Sequence, residues 1–408
     1  MQPEISFDKN GGVTDVPGFT ASGVHCGIRK NKAKRDLALI VADRMCNAAA
    51  VYTTNKVKAA PILLTMEHMK NGKARAILCN SGNANACAPG GMEAANRMVS
   101  AAAAELHIDP TDIIVNSTGV IGVELPIDAI VNGIPHLVKA LAVDNAPVKE
   151  AIMTTDTFSK SCAAQVQIGG KTITIGGIAK GSGMIHPNMA TMFAYLTTDC
   201  NISSEMLQAA LSTSTAQTYN CISVDGDTST NDMTAILASG TAENPIIDSK
   251  NADYEAFFAA INMVNLHLAK EIARDGEGAT KLITCRITGA KDETTAIKLA
   301  KSVISSSLVK AAMFGNDANF GRILCALGYA GAKFNANTVD IAFSSSAGQL
   351  LVCNQSIGLA FDEEAATKIL SQKEITIEIN LHDGNAAANA YGCDLTYDYV
   401  KINGDYRS

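Results

Sequence analysis

Eleven cysteines are scattered along the 408-residue chain, and no two of them form a Cys-x-x-Cys pair. Such an odd, unpatterned set reads as reduced thiols buried as small apolar groups, which points to a cytoplasmic protein. No uninterrupted apolar run is long enough to span a bilayer, and residues 1–9 lack the apolar core of a signal peptide, so a soluble protein without membrane partners is expected. Basic residues are outnumbered, 33 Lys and Arg against 40 Asp and Glu, and a net charge of −7 argues against a general nucleic-acid binder, which would need a basic face.

Several catalytic signatures are missing as well. There is no Gly-x-Ser-x-Gly elbow, no His-Glu-x-x-His zinc site and no Gly-x-Gly-x-x-Gly dinucleotide loop. Gly170-Lys-Thr172 fails as a phosphate loop because Gln165 stands where the first glycine is required. Asp225, Asp227 and Asp232 do not have calcium-loop spacing, and the seven histidines are dispersed. Zinc-dependent and nucleotide-dependent chemistry are therefore disfavoured.

What remains is an ordinary globular composition, 47% hydrophobic and 18% charged, in a chain long enough for two or three domains. Residues 180–199 organise it: a glycine-rich loop runs into a compact apolar strand, with Thr191 at the junction. A hydroxyl is a poor nucleophile without a base beside it, and no histidine–acid pair is suggested nearby. Cutting the peptide bond between Ala190 and Thr191 would supply one, because the freed α-amine has a pKa of about 7.7 to 8.0. Gly181, Gly183 and Pro187 permit a strained backbone just upstream, and the small Ala190 leaves room for attack on its carbonyl. The alternative is a surface turn followed by a buried strand.

Other stretches supply weaker signals. Thr118 and Gly119 follow an apolar strand and could present a hydroxyl and an amide to an oxyanion, or form an inert turn. The threonines of residues 154–157 could hold a substrate or cap a turn. Glu277 sits between Gly276 and Gly278, where a carboxylate can meet an ammonium or simply be solvated.

Patterning predicts strands at 19–26, 37–42 and 74–79, two short β-prone stretches around 52–55, and a turn at the Asn/Gly cluster 80–87. Helices are predicted at 92–106, 126–142 with a bend at Pro135, 203–219 and 254–272, and a hairpin at 164–175 turning on Gly169-Gly170. Beyond a composition shift near Leu282, a small α+β unit is expected: strands at 282–287, 338–343, 349–352 and 375–381, helices at 295–312 and 363–370. Loops are expected at 315–322 and 384–392, and residues 397–408 alternate like a terminal strand.

Asn116-Ser-Thr-Gly-Val-Ile-Gly122, Met153-Thr-Thr-Asp-Thr157, the run from Lys180 through Thr191, Asp225-Gly-Asp-Thr-Ser-Thr-Asn-Asp232, the 273–280 loop and the 399–406 tail together resemble the ornithine acetyltransferase family of arginine biosynthesis. The resemblance covers essentially the whole chain in order. It implies an α/β fold, an N-terminal-nucleophile-like layered αββα sandwich with a C-terminal α+β domain. Residues 1–281 would form the catalytic core and 282–408 the C-terminal domain. Self-cleavage at 190/191 would give an alpha chain of 1–190 and a beta chain of 191–408, assembled as an α2β2 heterotetramer.

Carried over by residue, the resemblance makes Thr191 the nucleophile and Thr118 with Gly119 the oxyanion hole. Thr154, Lys180, Thr191, Glu277, Asn403 and Ser408 would contact substrate. The implied reaction moves acetyl from N2-acetyl-L-ornithine to L-glutamate by a ping-pong route. Lys180 is assigned to a substrate carboxylate and Glu277 to an ammonium, since both substrates offer such charges. The tail departs slightly from the family, with Gly404 and Ser408 where alanine and threonine are usual. No resident cofactor or metal is implied, and acetyl-coenzyme A stands as an optional second acetyl donor. A self-cleaving amidohydrolase or aminopeptidase is the competing enzyme class, and an uncleaved amino-acid-binding protein the non-enzymatic one.

Overall fold

The computed structural model describes residues 3–186 and 192–405. The chain divides into two compact units. The first takes residues 1–181, 187–220 and 228–269; the second takes 182–186, 221–227 and 270–408. The division read from composition at 281/282 falls inside the last of these stretches.

The first unit opens with β1 (Ile5–Asp8), β2 (Phe19–Val24), β3 (Leu37–Tyr52), α1 (Ala60–His68), β4 (Lys73–Asn83), α2 (Gly91–Leu106) and β5 (Ile113–Val120). There follow α3 (Ile127–Lys139), α4 (Ala146–Ala151), β6 (Lys160–Ile168), β7 (Lys171–Lys180), β8 (Phe193–Thr198) and α5 (Ser204–Gln217). After β9 (Ile222–Ser223), which belongs to the second unit, come β10 (Met233–Ala238) and α6 (Ala252–Arg274). Among the described residues, the first unit's strands form one sheet in the order β1-β6-β7-β8-β10-β3-β4-β5, with β2 also paired to β3.

β3 is one long strand that joins the strand expected at 37–42 to the β-prone stretch expected before 52–55, while the stretch expected beyond 52–55 leads into the helix α1. The first half of β3 pairs with β2 and β4 and its second half with β10, and its register against β4 breaks between Val41 and Cys46. That break lets the sheet fold over on itself, as bulged strands do. Between the two halves lies one apolar layer containing Ala38, Ile40, Ala48, Ala50, Ile178, Phe193, Tyr195, Met233 and Leu237. The opposite face of β3, β4 and β5 packs Leu39, Leu78 and Val115 on Met98 and Val99 of α2 and on Ile130 and Ile134 of α3. Over the other half lies α6: a Cβ on Gly177 of β7 would come within 2.9 Å of Leu268 and 3.0 Å of Val264. On α5, Gln208 bonds both the N–H and the carbonyl of Ala50. Helix, sheet, sheet, helix is thus the layering, as the αββα expectation has it.

Two local expectations fare differently. Gly169 (φ 56) and Gly170 (φ 76) make the β6–β7 hairpin turn, because both central residues of a type I′ turn need positive φ. The Asn/Gly cluster does not turn at residue 80, since β4 continues to Asn83. Its buried polar side chains find partners there: Ser117 Oγ donates to Asn80 Oδ1 at 2.6 Å, and Ser81 Oγ donates to the Ala151 carbonyl at 2.6 Å.

The second unit holds β9, β11 (Leu282–Ala290), α7 (Glu293–Ser305), α8 (Ser307–Phe314), α9 (Phe320–Gly328), β12 (Asp340–Ser345), β13 (Gly348–Asn354) and β14 (Ile357–Gly358). It ends with α10 (Glu363–Leu370), β15 (Glu374–Asn380), β16 (Ala386–Cys393) and α11 (Tyr397–Gly404). The sheet order is β14-β13-β12-β15-β11-β16-β9, and its core packs Leu299 and Val303 of α7 with Ile283, Ile287, Ile377 and Phe343.

Four expectations are corrected here. The helix expected over 295–312 is two, split at Ser306, whose Oγ caps α8 by accepting from the Val309 N–H. The 315–322 loop passes into α9 at Phe320, capped by Asn319. Most of the 384–392 loop is β16, paired on both sides by β11 and β9. The described part of the tail is the helix α11 rather than a strand. Of the alternating Tyr397, Tyr399 and Ile402 that suggested a strand, Tyr397 is exposed and the other two are only half-buried, so they do not make a buried face.

Candidate active site

Thr191 and Ala190 lie outside the described residues, as does Ser408. The described chain resumes at Met192, and β8 starts at Phe193. Three strands meet there in register: Phe193 is paired with Lys180, the last residue of β7, on one side and with Met233, the first of β10, on the other. The Met233 N–H donates to the Met192 carbonyl at 3.0 Å.

Lys180 is buried, and its ammonium has no hydrogen-bond partner among the described residues. Beside it stands Asp156, whose side chain is completely covered. Oδ1 of Asp156 accepts from Lys160 Nζ at 2.8 Å and from the Gly181 N–H at 2.7 Å, while Oδ2 accepts from the Thr154 N–H at 2.9 Å. One carboxylate therefore fixes Thr154 and the residue after Lys180. Burial pushes the Asp156 carboxyl up, but Lys160, Lys180 and these bonds outweigh it and hold the group well below the usual carboxylate range. For Lys180 burial wins: its pKa is lowered, with Asp156 opposing and Lys160 adding to the fall.

Asp232 precedes β10, and its buried Oδ2 has no hydrogen-bond partner among the described residues. Burial drives its carboxyl well above the usual value, against the pull of Ser229 and Lys180. Its neighbour Asn231 reaches β5: Nδ2 donates to the Ala84 carbonyl at 2.6 Å and to the Ser117 carbonyl at 2.7 Å, and Asn116 Nδ2 donates back to the Asn231 carbonyl at 3.2 Å. That lattice holds the end of β5, where Thr118 and Gly119 lie opposite Ser81 and Gly82. Gly119 has φ +133, and a Cβ there would stand 2.3 Å from the Gly82 carbonyl carbon, so no other residue fits.

In the second unit, the Glu277 N–H donates to the Ser182 carbonyl at 2.9 Å, and Glu277 Oε2 accepts from Asn403 Nδ2 at 2.8 Å. The structure thus joins Glu277 and Asn403, which lie 126 residues apart in sequence. Gly183 makes room for them, because a Cβ there would fall 2.3 Å from the Glu277 carboxyl carbon. Asp225 accepts from the N–H groups of Met184 at 2.6 Å and Ile185 at 2.9 Å. His186 Nδ1 is 3.0 Å from Ser223 Oγ, and burial, with Lys301 adding, pushes the imidazole down to about 4.

The sequence reading assigned Thr154 and Lys180 but missed Asp156 and Lys160, which hold them. A carboxylate and a lysine four apart on the way into a strand were the available signal. It was a thin one, since such a pair is usually a solvated surface bridge. Asp232 was weighed as a metal ligand. Among the described residues, no three His, Cys, Asp or Glu side chains are grouped to hold a metal ion, and no helix is long and apolar enough to cross a membrane.

The ArgJ family model matches residues 20–408. Arginine biosynthesis bifunctional protein ArgJ 1 of Clostridium acetobutylicum is 51% identical over 406 residues, covering 99% of each chain. Among solved structures, arginine biosynthesis bifunctional protein argJ from Bacillus halodurans is 48% identical, with a TM-score of 0.49 over 52% of this chain and 97% of that one. Ornithine acetyltransferase from Mycobacterium tuberculosis, solved in complex with ornithine, is 36% identical, with a TM-score of 0.43 over 46% of this chain and 100% of that one. Given a family match over nearly its whole length and a relative identical at half of all positions, the chain belongs to the ArgJ family.

Proposed function

We propose that this chain is a glutamate N-acetyltransferase of arginine biosynthesis, moving the acetyl group of N2-acetyl-L-ornithine to L-glutamate. The observation that carries this reading is the identity of about half the residues, over 99% of both chains, with a relative named as a bifunctional arginine biosynthesis protein. After self-cleavage between Ala190 and Thr191, the Thr191 hydroxyl attacks the acetyl carbonyl while its own α-amine takes the proton. The C–N bond to ornithine breaks, and the proton goes to the departing amine. The glutamate amine then attacks the acetyl-Thr191 ester and gives up a proton to the α-amine of Thr191; the Thr191 oxygen leaves and takes that proton. Thr118 and Gly119 donate to the oxyanion formed in each half-reaction.

Lys180 receives a substrate carboxylate and Glu277 an ammonium, with Thr154, Asn403 and Ser408 as further contacts. A buried lysine that makes no side-chain hydrogen bond among the described residues suits the first role. The second activity of a bifunctional enzyme would load Thr191 from acetyl-coenzyme A instead. The alpha (1–190) and beta (191–408) chains remain together in the cytoplasm as an α2β2 assembly.

Purified protein incubated with N-acetylornithine, with and without glutamate, tests the reading. Acetylglutamate as product supports it. Acetate formed at the same rate without glutamate would assign the chain to the amidohydrolase class instead. Intact mass should give two fragments for the wild type and one for Thr191→Ala, which should make no acetylglutamate.

A further inference from the structure

Lys180 lies in a buried polar cluster in which the charges are unevenly satisfied. Asp156 is saturated, with an ammonium and two backbone N–H groups on its two oxygens. Lys160 has Asp156 at 2.8 Å, the Phe158 carbonyl at 3.3 Å and the face of the Phe158 ring at 4.9 Å. Among the described residues Lys180 makes none of these contacts, although it too is buried, 7% exposed against 8% for Asp156 and 2% for Lys160. An unpaired ammonium in such a place sheds its proton unless neighbouring charges hold it.

The groups whose charges act on Lys180 come from four places: Asp156 from the turn before β6, Lys160 from the start of β6, Asp232 from the turn before β10, and Cys79 from β4. Asp156 and Lys160 act on it with opposite signs. Asp156 also bonds the Gly181 N–H directly after Lys180, so that it holds the backbone of the residue whose charge it influences.

We propose that Asp156 is a positioning residue that keeps Lys180 cationic and in place for a substrate carboxylate, and that Lys160 holds Asp156 while tempering the charge of Lys180. This rests on the reading that Lys180 receives a substrate carboxylate. Asp156 itself touches no substrate in this arrangement. It acts through Lys180 on one side and through the Thr154 backbone on the other. Burial lowers the pKa of Lys180, so this lysine depends on its neighbours for its charge.

The test is a sign pattern in the pH dependence of KM for N-acetylornithine. With the wild-type enzyme KM rises at alkaline pH as Lys180 loses its proton, while kcat changes little. Asp156→Asn removes the holding charge and should move that rise to lower pH by about one unit or more. Lys160→Met removes the opposing charge and should move it to higher pH. The double variant Asp156→Asn/Lys160→Met should return towards the wild-type profile, and Asp156→Glu, which keeps the charge, should restore much of the single loss.

A merely structural ion pair would shift both single variants the same way, or neither, and that result overturns the inference. If Asp156→Asn does not fold, Lys160→Met decides alone. Its Asp156 keeps both backbone donors, and absence of an upward shift is then the overturning result. Lys180→Met separates the two layers. Unchanged KM values in that variant overturn the carboxylate reading and the inference with it. A large KM increase there, with no opposite shifts in the others, overturns the inference alone.

Discussion

The carboxylate of Asp156 accepts a hydrogen bond at 2.7 Å from the backbone N–H of Gly181, 25 residues further along the chain. The turn before β6 and the end of β7 are hairpin neighbours in one sheet, so this bond closes a ring of chain around Lys180.

Asp156→Ala takes from Lys160 the carboxylate it pairs with inside the protein, and losing one partner of a buried pair costs about 3–5 kcal/mol. Replacing both residues with apolar side chains, as in Asp156→Leu/Lys160→Met, should recover part of that stability, because Lys160 is then no longer stranded, although Lys180 still loses the carboxylate that holds its charge. Transfer activity should not recover with it, since Thr154 and Gly181 have lost their common acceptor. Thermal unfolding and an acetylglutamate assay on the same three proteins check both halves.

Gly119→Ala should abolish transfer. The methyl group would meet the Gly82 backbone at 2.3 Å, and φ +133 lies where L side chains are strained, so the end of β5 must shift. The expected readout is a fall in kcat of about 10²-fold or more, the scale set by loss of one oxyanion donor. Gly122→Ala provides the contrast, because its φ of +80 imposes similar backbone strain with no atom within 4 Å of the added Cβ. That variant should retain most activity.

Gly183→Ala should mimic damage to Glu277, since the added methyl would fall 2.3 Å from the Glu277 carboxyl carbon. We expect KM for N-acetylornithine to rise in Gly183→Ala and in Glu277→Gln alike, and less in Asn403→Ala, which removes one hydrogen bond of about 1 kcal/mol. Steady-state kinetics on the three variants would show that ordering.

His186 gives a pH prediction for stability. Its folded pKa of about 4 lies below the ordinary 6.5, so below pH 6.5 the unfolded chain binds a proton that the folded one refuses. The stabilisation is therefore full above pH 6.5 and is lost as pH falls from there towards 4. Denaturant unfolding at pH 7.5 and 5.0 should show a smaller pH difference for His186→Gln than for the wild type.

Much of this was legible from local pattern. The amphipathic stripe of α6, with Phe257, Ile261, Val264 and Leu268 buried, follows from helical period alone. The β6–β7 turn follows from two adjacent glycines. Where patterns are short, tertiary contacts decided. The Asn/Gly run at residues 80–83 has the composition of a turn, yet it extends β4 because β5 and Ala151 offer partners for its side chains. The tail has the alternation of a strand, yet it forms α11, with Asn403 bonded to Glu277.

By itself the sequence determined the family, the candidate residues Thr118, Gly119, Thr154, Lys180, Thr191 and Glu277, and most of the strands and helices, because these reside in spacing and residue type. Only the tertiary structure decided that Asp156 ties Thr154 to Gly181 and that Asn403 meets Glu277. Both are hydrogen bonds between groups brought together by strand register and helix docking, and no local period encodes a partner 25 or 126 residues away.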